Sequence, residues 1–197
     1  MISFIIPAYN EEQLLGRTLT ALTAAARALA EPFEIIVVDD ASTDRTAAIA
    51  REHGARVVSV AHRQISATRN AGARAATGEM FLFIDADTVV NERAVAAAVA
   101  AMRAGAVGGF DERLFGAEEA AMSRALHRQG RFVILRESVT TSGRKLRAYS
   151  AREVLGLLAR LAVSGRKAVR KREGMEIWYG ERRPDPEPAA EVLDRPL

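Results

Sequence analysis

The stretch Phe81-Leu82-Phe83-Ile84-Asp85-Ala86-Asp87 decides the fold of this 197-residue chain. It is a continuous apolar run that ends in two carboxylates separated by one alanine. Strands buried on both faces have this pattern in parallel sheets, and the ligands of open α/β sheets bind beyond the carboxyl ends of the strands. The stretch therefore predicts a buried strand that carries Asp85 and Asp87 to a ligand-binding edge.

The two aspartates allow two interpretations. Side chains at i and i+2 project the same way from an extended backbone, so Asp85 and Asp87 could direct oxygens at one hard cation, Mg²⁺ or Mn²⁺. A diphosphate would supply further oxygens. The alternative is an acidic turn after a strand, with a purely structural role.

Composition narrows the class of protein. With 49% apolar and 27% charged residues, the chain can fill one core, so one globular domain is expected. The absence of cysteine excludes disulfides, thiolate metal sites and cysteine nucleophiles. Residues 1–6 lack a basic leader and no apolar run approaches about 18 residues, so we expect neither a signal peptide nor a membrane span. A cytoplasmic location follows as an expectation.

Hydrophobic periodicity alternates between strands and helices over the first half of the chain. The pattern predicts strands at 2–6, 34–38, 56–60 and 80–84, with a helix after each of them. Asn10-Glu11-Glu12-Gln13 has the pattern of a helix cap with acids in the first turn, so the first helix is expected to begin there. Four such repeats predict an α/β fold, a single Rossmann-like domain with a mostly parallel sheet and flanking helices.

The second half has fewer signals. The sequence predicts a helix over 114–129 and a strand over 132–135. Ser150-Ala151-Arg152-Glu153 has the pattern of a capping box and predicts an amphipathic helix that ends near Gly165. Four apolar residues of that helix are expected to face inward, namely Val154, Leu157, Leu158 and Leu161.

Several polar groups should meet at one edge of this sheet. Asp39-Asp40 follows the second strand as Asp85-Ala86-Asp87 follows the fourth, and parallel strands end at the same edge. Tyr9 after the first strand and Arg69 on the third helix add an aromatic ring and a cation. Such an acidic edge suits a nucleotide diphosphate held through a bridging metal, because carboxylates alone would repel phosphate.

Five motifs, in order along residues 2–136, carry a resemblance to a known family. They are Phe4-Ile5-Ile6-Pro7-Ala8-Tyr9-Asn10-Glu11-Glu12, Val37-Val38-Asp39-Asp40-Ala41-Ser42-Thr43-Asp44, Ala67-Thr68-Arg69-Asn70-Ala71-Gly72, Ile84-Asp85-Ala86-Asp87, and Phe110-Asp111-Glu112-Arg113-Leu114-Phe115 with Glu118-Glu119. Together they resemble the family 2 glycosyltransferases, which have the A-type nucleotide-diphospho-sugar transferase fold.

The resemblance implies a role for each matching residue. It implies that the nucleoside is held by Pro7, Tyr9, Glu11, Asp40 and Arg69. It further implies that Asp85 contacts the ribose or sugar side and that Asp87 binds Mn²⁺ or Mg²⁺ on the diphosphate.

Glu119 lies within the apolar stripe of its predicted helix, between Phe115 and Met122. Desolvation there would raise the pKa of a carboxyl group toward the range of a general base, and the resemblance implies that role for the matching acidic residue. The family usually has Glu-Asp where this chain has Glu118-Glu119. The alternative is a carboxylate near a helix start, favoured by the helix dipole.

The interval between Asp87 and Phe110 contains only 22 residues, fewer than the resembling family has. The expected organisation is therefore a transferase-like domain at 1–165, with a donor half at 1–104 and an abridged acceptor half at 105–165. A basic segment and a tail rich in proline and acids follow at 166–197.

The leading hypothesis is an enzyme that transfers a sugar from a UDP- or GDP-sugar to a lipid or glycan hydroxyl, with inversion as the resemblance implies. Two alternatives stay open: a binding module that has lost catalysis, and a metal-dependent nucleotidyltransferase. No nucleic acid partner is expected. The cluster of cations between Arg160 and Arg172 is either a solvated helix face or a peripheral contact with the inner face of an anionic membrane.

Overall fold

The computed structural model of the chain describes residues 1–103, 135–168, 175–180 and 183. Their helices and strands, in chain order, are β1 (Ile2–Ala8), α1 (Leu15–Ala28), β2 (Phe33–Asp40), α2 (Thr46–Glu52), β3 (Arg56–Val60), α3 (Ile65–Ala75), β4 (Met80–Phe83), β5 (Thr88–Val89), α4 (Glu92–Met102), β6 (Thr140–Thr141), α5 (Arg144–Ala148), α6 (Ala151–Ala168) and α7 (Glu176–Tyr179).

A four-stranded parallel sheet organises these elements. The strand order is β3-β2-β1-β4, so β1 lies between β2 and β4. β1 pairs with β2 along its whole length, from Ile2 opposite Phe33 to Ala8 opposite Asp39. It pairs with β4 only from Ile2 to Ile5. The predicted α/β fold with a parallel sheet and flanking helices is confirmed.

The two faces of β1 are buried against different helices. Phe4 and Ile6 belong to the larger core cluster, which includes Leu15, Leu19 and Leu22 of α1. Ile5 points to the other face, where a smaller cluster includes Ala71 of α3. Alternation along the strand explains this division, because successive side chains project to opposite faces. Both faces are therefore apolar, as the run in the sequence predicts.

β1 continues through Pro7, where the sequence predicts a stop. Proline has no N–H and is normally excluded from central strands. Pairing with β4 ends at Ile5, apart from the Ile84 N–H that donates to the Ile5 carbonyl at 3.0 Å. Among the strands that the structure describes, β1 therefore has a partner on one side only at Pro7, which lies opposite Val38 of β2.

Two boundaries near the sheet edge differ from the prediction. α1 begins at Leu15 and not at the acidic residues after Asn10, because Asn10 has φ 51° and residues 12–14 form a turn. β2 includes Asp39 and Asp40, which the sequence places after the strand. Their side chains consequently have the alternating directions of strand residues.

The predicted capping box before α6 is confirmed. The Ser150 N–H donates to Glu153 Oε2 at 2.8 Å, and the Glu153 N–H donates to Ser150 Oγ at 3.4 Å. Arg183 also donates to this carboxylate, and these hydrogen bonds lower the pKa of Glu153 to about 2.

Other expectations for this part of the chain were wrong or fall outside the described residues. The expected end of the helix near Gly165 was wrong, since α6 continues to Ala168, and so was the inward position of Leu158, which is 55% exposed. The predicted helix at 114–129 and residues 132–134 of the predicted strand lie outside the described residues. Within the described part of the chain, no helix has the length and hydropathy needed to cross a membrane.

Gly72 allows α3 to lie directly on the sheet. A Cβ atom at this position would come within 2.4 Å of Ile5 Cγ2 and 2.8 Å of Val38 Cγ2. We expect Gly72→Ala to lower the free energy of unfolding by roughly 1–3 kcal/mol, because the helix must move off β1 and β2. Urea denaturation measures the change.

Gly156 provides the matched control, since it also lies in a helix and, among the described residues, no heavy atom outside its own helical backbone and chain neighbours lies within 4 Å of its added Cβ. Gly156→Ala should be neutral or stabilise the protein by up to about 1 kcal/mol, because alanine restricts the unfolded chain. Equal effects of the two substitutions would contradict this account of the contact between α3 and the sheet.

Candidate functional site

The carboxyl ends of β1, β2 and β4 meet at one edge of the sheet. Tyr9 and Glu11 follow β1, Asp40 is the last residue of β2, and Asp85 and Asp87 follow β4. The parallel pairing explains why these groups share an edge, although they are far apart in sequence. Pro7 lies just before them, buried within β1.

Asp40 is bound to the start of α3. Its carboxylate accepts hydrogen bonds from the Arg63 N–H at 2.8 Å, the Gln64 N–H at 3.2 Å and Thr68 Oγ1 at 2.8 Å. Amide donors at a helix start favour a carboxylate. Asp40 therefore fixes the segment that leads into α3, the helix that carries Arg69.

The ring of Tyr9 is covered by a cation. The guanidinium carbon of Arg63 lies 3.5 Å from the ring centroid, a cation–π contact. Arg63 has φ 49°, and its amide is held by Asp40. The site consequently brings together the flat aromatic ring of Tyr9, the planar cation of Arg63 and the buried carboxylate of Asp40.

Arg69 connects α3 to the end of β4. Its Nη2 donates to Asp85 Oδ1 at 2.9 Å. The Arg69 side chain is only 8% exposed, whereas that of Asp85 is 57% exposed. The pair therefore presents a carboxylate to solvent and keeps the guanidinium beneath it.

Asp85 to Thr88 form a turn, not the extended segment assumed from the sequence. The Thr88 N–H donates to the Asp85 carbonyl at 3.1 Å, which closes a four-residue turn. Thr18 of α1 donates to the Ala86 carbonyl at 2.9 Å and holds the turn from below. The acidic-turn interpretation is thus correct for the backbone, and it leaves open what the two carboxylates bind.

Asp87 is held by a segment from the second half of the chain. Ser142 Oγ donates to Asp87 Oδ2 at 2.7 Å. β6, directly before Ser142, pairs antiparallel with β5, directly after Asp87, with Thr88 opposite Thr141. The short β5–β6 pair therefore brings Ser142 to the acidic turn.

Glu11 forms a buried, bidentate ion pair with Arg144. The two guanidinium nitrogens Nη1 and Nη2 donate to Oε2 at 3.0 Å and to Oε1 at 2.8 Å. Both side chains are at least nine-tenths buried. Two parallel hydrogen bonds fix the mutual orientation of both planar groups. The pair joins the loop after β1 to the start of α5.

The structure brings together seven of the eight residues predicted for the site, Pro7, Tyr9, Glu11, Asp40, Arg69, Asp85 and Asp87, at the carboxyl edge. The eighth, Glu119, lies outside the described residues. The sequence did not point to Arg63, Ser142 or Arg144. The only local signal for the last two was a glycine between polar residues in Thr140-Thr141-Ser142-Gly143-Arg144, which is typical of a turn.

The acidic turn has the donor chemistry of a hard cation site. Asp85 and Asp87 carry carboxylate oxygens, the ligands that Mg²⁺ and Mn²⁺ prefer. In the described ranges, no group of three or more His, Asp or Glu side chains is arranged to hold a metal ion. The two carboxylates therefore fit a cation that also takes oxygens from a bound ligand.

The family model for Glycosyl transferase family 2 matches residues 3–147, most of the chain. The chain belongs to glycosyl transferase family 2. The matched range includes every residue of the edge described above, from Pro7 to Arg144. The predicted resemblance is confirmed, and with it the assignment of the chain to a family of glycosyltransferase enzymes.

Curated relatives match only part of the chain. A validoxylamine A glucosyltransferase from Streptomyces hygroscopicus subsp. jinggangensis (strain 5008) is 36% identical over 108 residues, 51% of this chain and 25% of that protein. An undecaprenyl-phosphate 4-deoxy-4-formamido-L-arabinose transferase from Serratia proteamaculans (strain 568) is 38% identical over 94 residues, 44% of this chain and 28% of that protein. The chain spans about a quarter of the length of these relatives.

A crystal structure of S. aureus TarS 1-349 shares the fold. It aligns with 86% of this chain and 68% of its own, with a TM-score of 0.58 and 20% sequence identity. The same TarS fragment in complex with UDP aligns with a TM-score of 0.57 and 20% identity. This likeness confirms the predicted A-type glycosyltransferase fold of the family 2 chain.

Removal of the Arg144 side chain should strongly destabilise the protein. Arg144→Ala leaves the Glu11 carboxylate buried without its bidentate partner, and such a loss costs about 3–5 kcal/mol. Urea denaturation at neutral pH measures the free energy of unfolding.

Arg45→Ala is the matched control, because Arg45 pairs with Glu52 at 3.0 Å while their side chains are 69% and 56% exposed. An exposed pair contributes at most about 1 kcal/mol. Similar losses in the two variants would show that the Glu11–Arg144 pair is not a buried constraint.

Proposed function

We propose that this protein transfers a sugar from a nucleotide diphosphate donor to an acceptor hydroxyl, with inversion at the anomeric carbon. The observation that carries the proposal is the Arg69–Asp85 pair, which lies at the same sheet edge as the Tyr9 ring. An aromatic ring can stack on a base, the exposed Asp85 carboxylate can accept hydrogen bonds from a ribose or sugar, and guanidinium groups can pair with a diphosphate. Membership of family 2 supports the same reaction class.

The donor residues divide by chemistry. Tyr9 offers a ring on which a base can stack if the Arg63 guanidinium, which lies 3.5 Å from the ring centroid, moves aside. The displaced guanidinium could then stack on the base in turn. Asp40 holds the segment before α3 in place through its bonds to the Arg63 and Gln64 amides. In this proposal Pro7 and Glu11 hold the nucleoside from the side of β1. We therefore assign residues 1–104 as the donor half.

Asp87, with Asp85 beside it, would hold Mn²⁺ or Mg²⁺ together with oxygens of the diphosphate. When bound, such an ion neutralises charge that develops on the departing diphosphate. The protein itself orients the Asp85 carboxylate through the hydrogen bond from Arg69. Glu119, outside the described residues, is the proposed general base that takes the proton of the acceptor hydroxyl.

Calorimetric titration with UDP, GDP and their sugar conjugates tests donor binding, in Mn²⁺ and again in chelator. UDP comes first because the TarS fragment of the same fold was crystallised with it. We expect the wild type to bind one nucleotide class more tightly in Mn²⁺. Asp87→Ala should lose the metal dependence together with most of the affinity, because a carboxylate ligand is gone.

A transfer assay with a radiolabelled donor separates binding from chemistry. Glu119→Gln should keep donor affinity and lower transfer by about 10²–10⁴-fold, the usual share of a general base. A wild type that binds donor without transfer to any acceptor would favour the binding module, and release of pyrophosphate would favour a nucleotidyltransferase. A wild type that binds no nucleotide would refute the proposal.

We also propose that the acceptor side approaches an anionic membrane surface through α6. Leu155 and Leu158 are 64% and 55% exposed on this helix, and Arg152 and Arg160 near them are exposed too. Apolar side chains flanked by cations are typical of helices that lie at a lipid interface. A relative named for undecaprenyl phosphate makes a lipid a reasonable class of acceptor to test.

Sedimentation with vesicles of anionic lipid at low salt tests this surface. We expect binding that weakens as salt rises, and a clear loss of binding for Leu155→Ser combined with Leu158→Ser, because less apolar area enters the interface. Vesicles of zwitterionic lipid provide the control. If the double variant bound anionic vesicles as well as the wild type does, α6 would be ruled out as the membrane contact.

A further inference from the structure

Ser142 lies at a point where the second half of the chain contacts the acidic turn. Its hydroxyl is buried and donates to Asp87 Oδ2 at 2.7 Å. This distance is typical of a strong O–H to carboxylate hydrogen bond. A carboxylate held through one oxygen has a fixed orientation for the other.

The hydroxyl is itself oriented by the backbone. Ser142 Oγ accepts the N–H of Arg144 at 3.3 Å. Because a serine hydroxyl has a single proton, an accepted bond on its lone pairs leaves that proton for Asp87. Gly143 makes the geometry possible, since its φ of 61° lies in the left-handed region that favours glycine.

Arg144 anchors the same segment from its other side. The buried bidentate pair with Glu11 connects residues 133 positions apart in sequence and fixes the start of α5 against the loop after β1. The β5–β6 pair restrains the segment before Ser142. Ser142 is thus held on both sides and cannot follow Asp87 if the carboxylate turns away.

From these contacts we infer that Ser142 is a positioning residue for Asp87, which sets the carboxylate for a divalent cation bound with a nucleoside diphosphate. The inference rests on the proposed function. It adds to the nucleotide site a residue, Ser142, that lies outside the donor half. Residues that orient a metal-binding carboxylate commonly contribute 10- to 100-fold to metal affinity. Ser142 should therefore act on the metal-dependent part of nucleotide binding and on no other part.

UDP is titrated in Mn²⁺ and again in chelator. The dissociation constant in chelator divided by that in Mn²⁺ is the enhancement of binding by Mn²⁺. Ser142→Ala should lower the enhancement by Mn²⁺ by about 10-fold or more and leave the dissociation constant in chelator within about twofold. Ser142→Cys should show an intermediate loss, because a thiol is a weak donor, and it serves as the second variant if alanine impairs folding. Thr141→Ala, which removes the exposed neighbouring hydroxyl, should match the wild type.

A double-mutant cycle distinguishes positioning from a general structural role. In the Asp87→Ala background, Ser142→Ala should cause no further change in either dissociation constant, because its partner is absent. Three results would each overturn the inference. They are a further loss of affinity from Ser142→Ala in the Asp87→Ala background, a loss from Ser142→Ala that is as large in chelator as in Mn²⁺, and a Ser142→Ala variant that binds UDP like the wild type. A wild type without any Mn²⁺ enhancement would overturn it too, and would remove the metal role of Asp87 with it. UDP binding in chelator alone would then still support the nucleotide site.

Discussion

The parallel alignment of β1 between β2 and β4 is the constraint on which the rest of the structure depends. Because the three strands run the same way, their carboxyl ends lie at one edge, and the polar residues after each strand are forced together. Both faces of β1 are covered by apolar side chains, so the strand cannot slip by one residue without turning its core residues to the wrong helices. The location of the site is therefore fixed by the packing of the core.

An edge that collects carboxylates must also collect cations. Buried charges without partners are costly, and within the described part of this edge two arginines supply the partners: Arg69 contacts Asp85 and Arg144 contacts Glu11. Asp40 is satisfied instead by the amides of Arg63 and Gln64. The two arginines come from distant parts of the chain. The same groups that satisfy the acids also give the edge a mixed charge, which a diphosphate can approach when a cation is present.

The sequence was a good guide to the four strands of the parallel sheet, to the helices that follow them and to the shared edge, because these follow from local periodicity and from the rule for parallel sheets. It could not reveal the turn at Asp85, since a short Asp-X-Asp run is compatible with both extended and turned backbones. It could not reveal Arg144 either, because Arg144 is 133 residues from Glu11 and no period connects them. Long-range pairing of charged groups depends on packing that a single sequence does not display.

The contacts of Ser142 and Arg144 bear on the choice between a working transferase and a binding module that has lost catalysis. The interval from Asp87 to Phe110 is short, yet the chain beyond residue 134 returns to the donor edge and makes buried polar contacts there. A buried Glu–Arg pair contributes little net stability compared with apolar packing, so stability alone is a weak reason for a chain to contain one. A function that needs the loop after β1 and the acidic turn in fixed positions is a stronger reason. The geometry of residues 140–144 therefore supports the proposal that this edge binds a nucleotide.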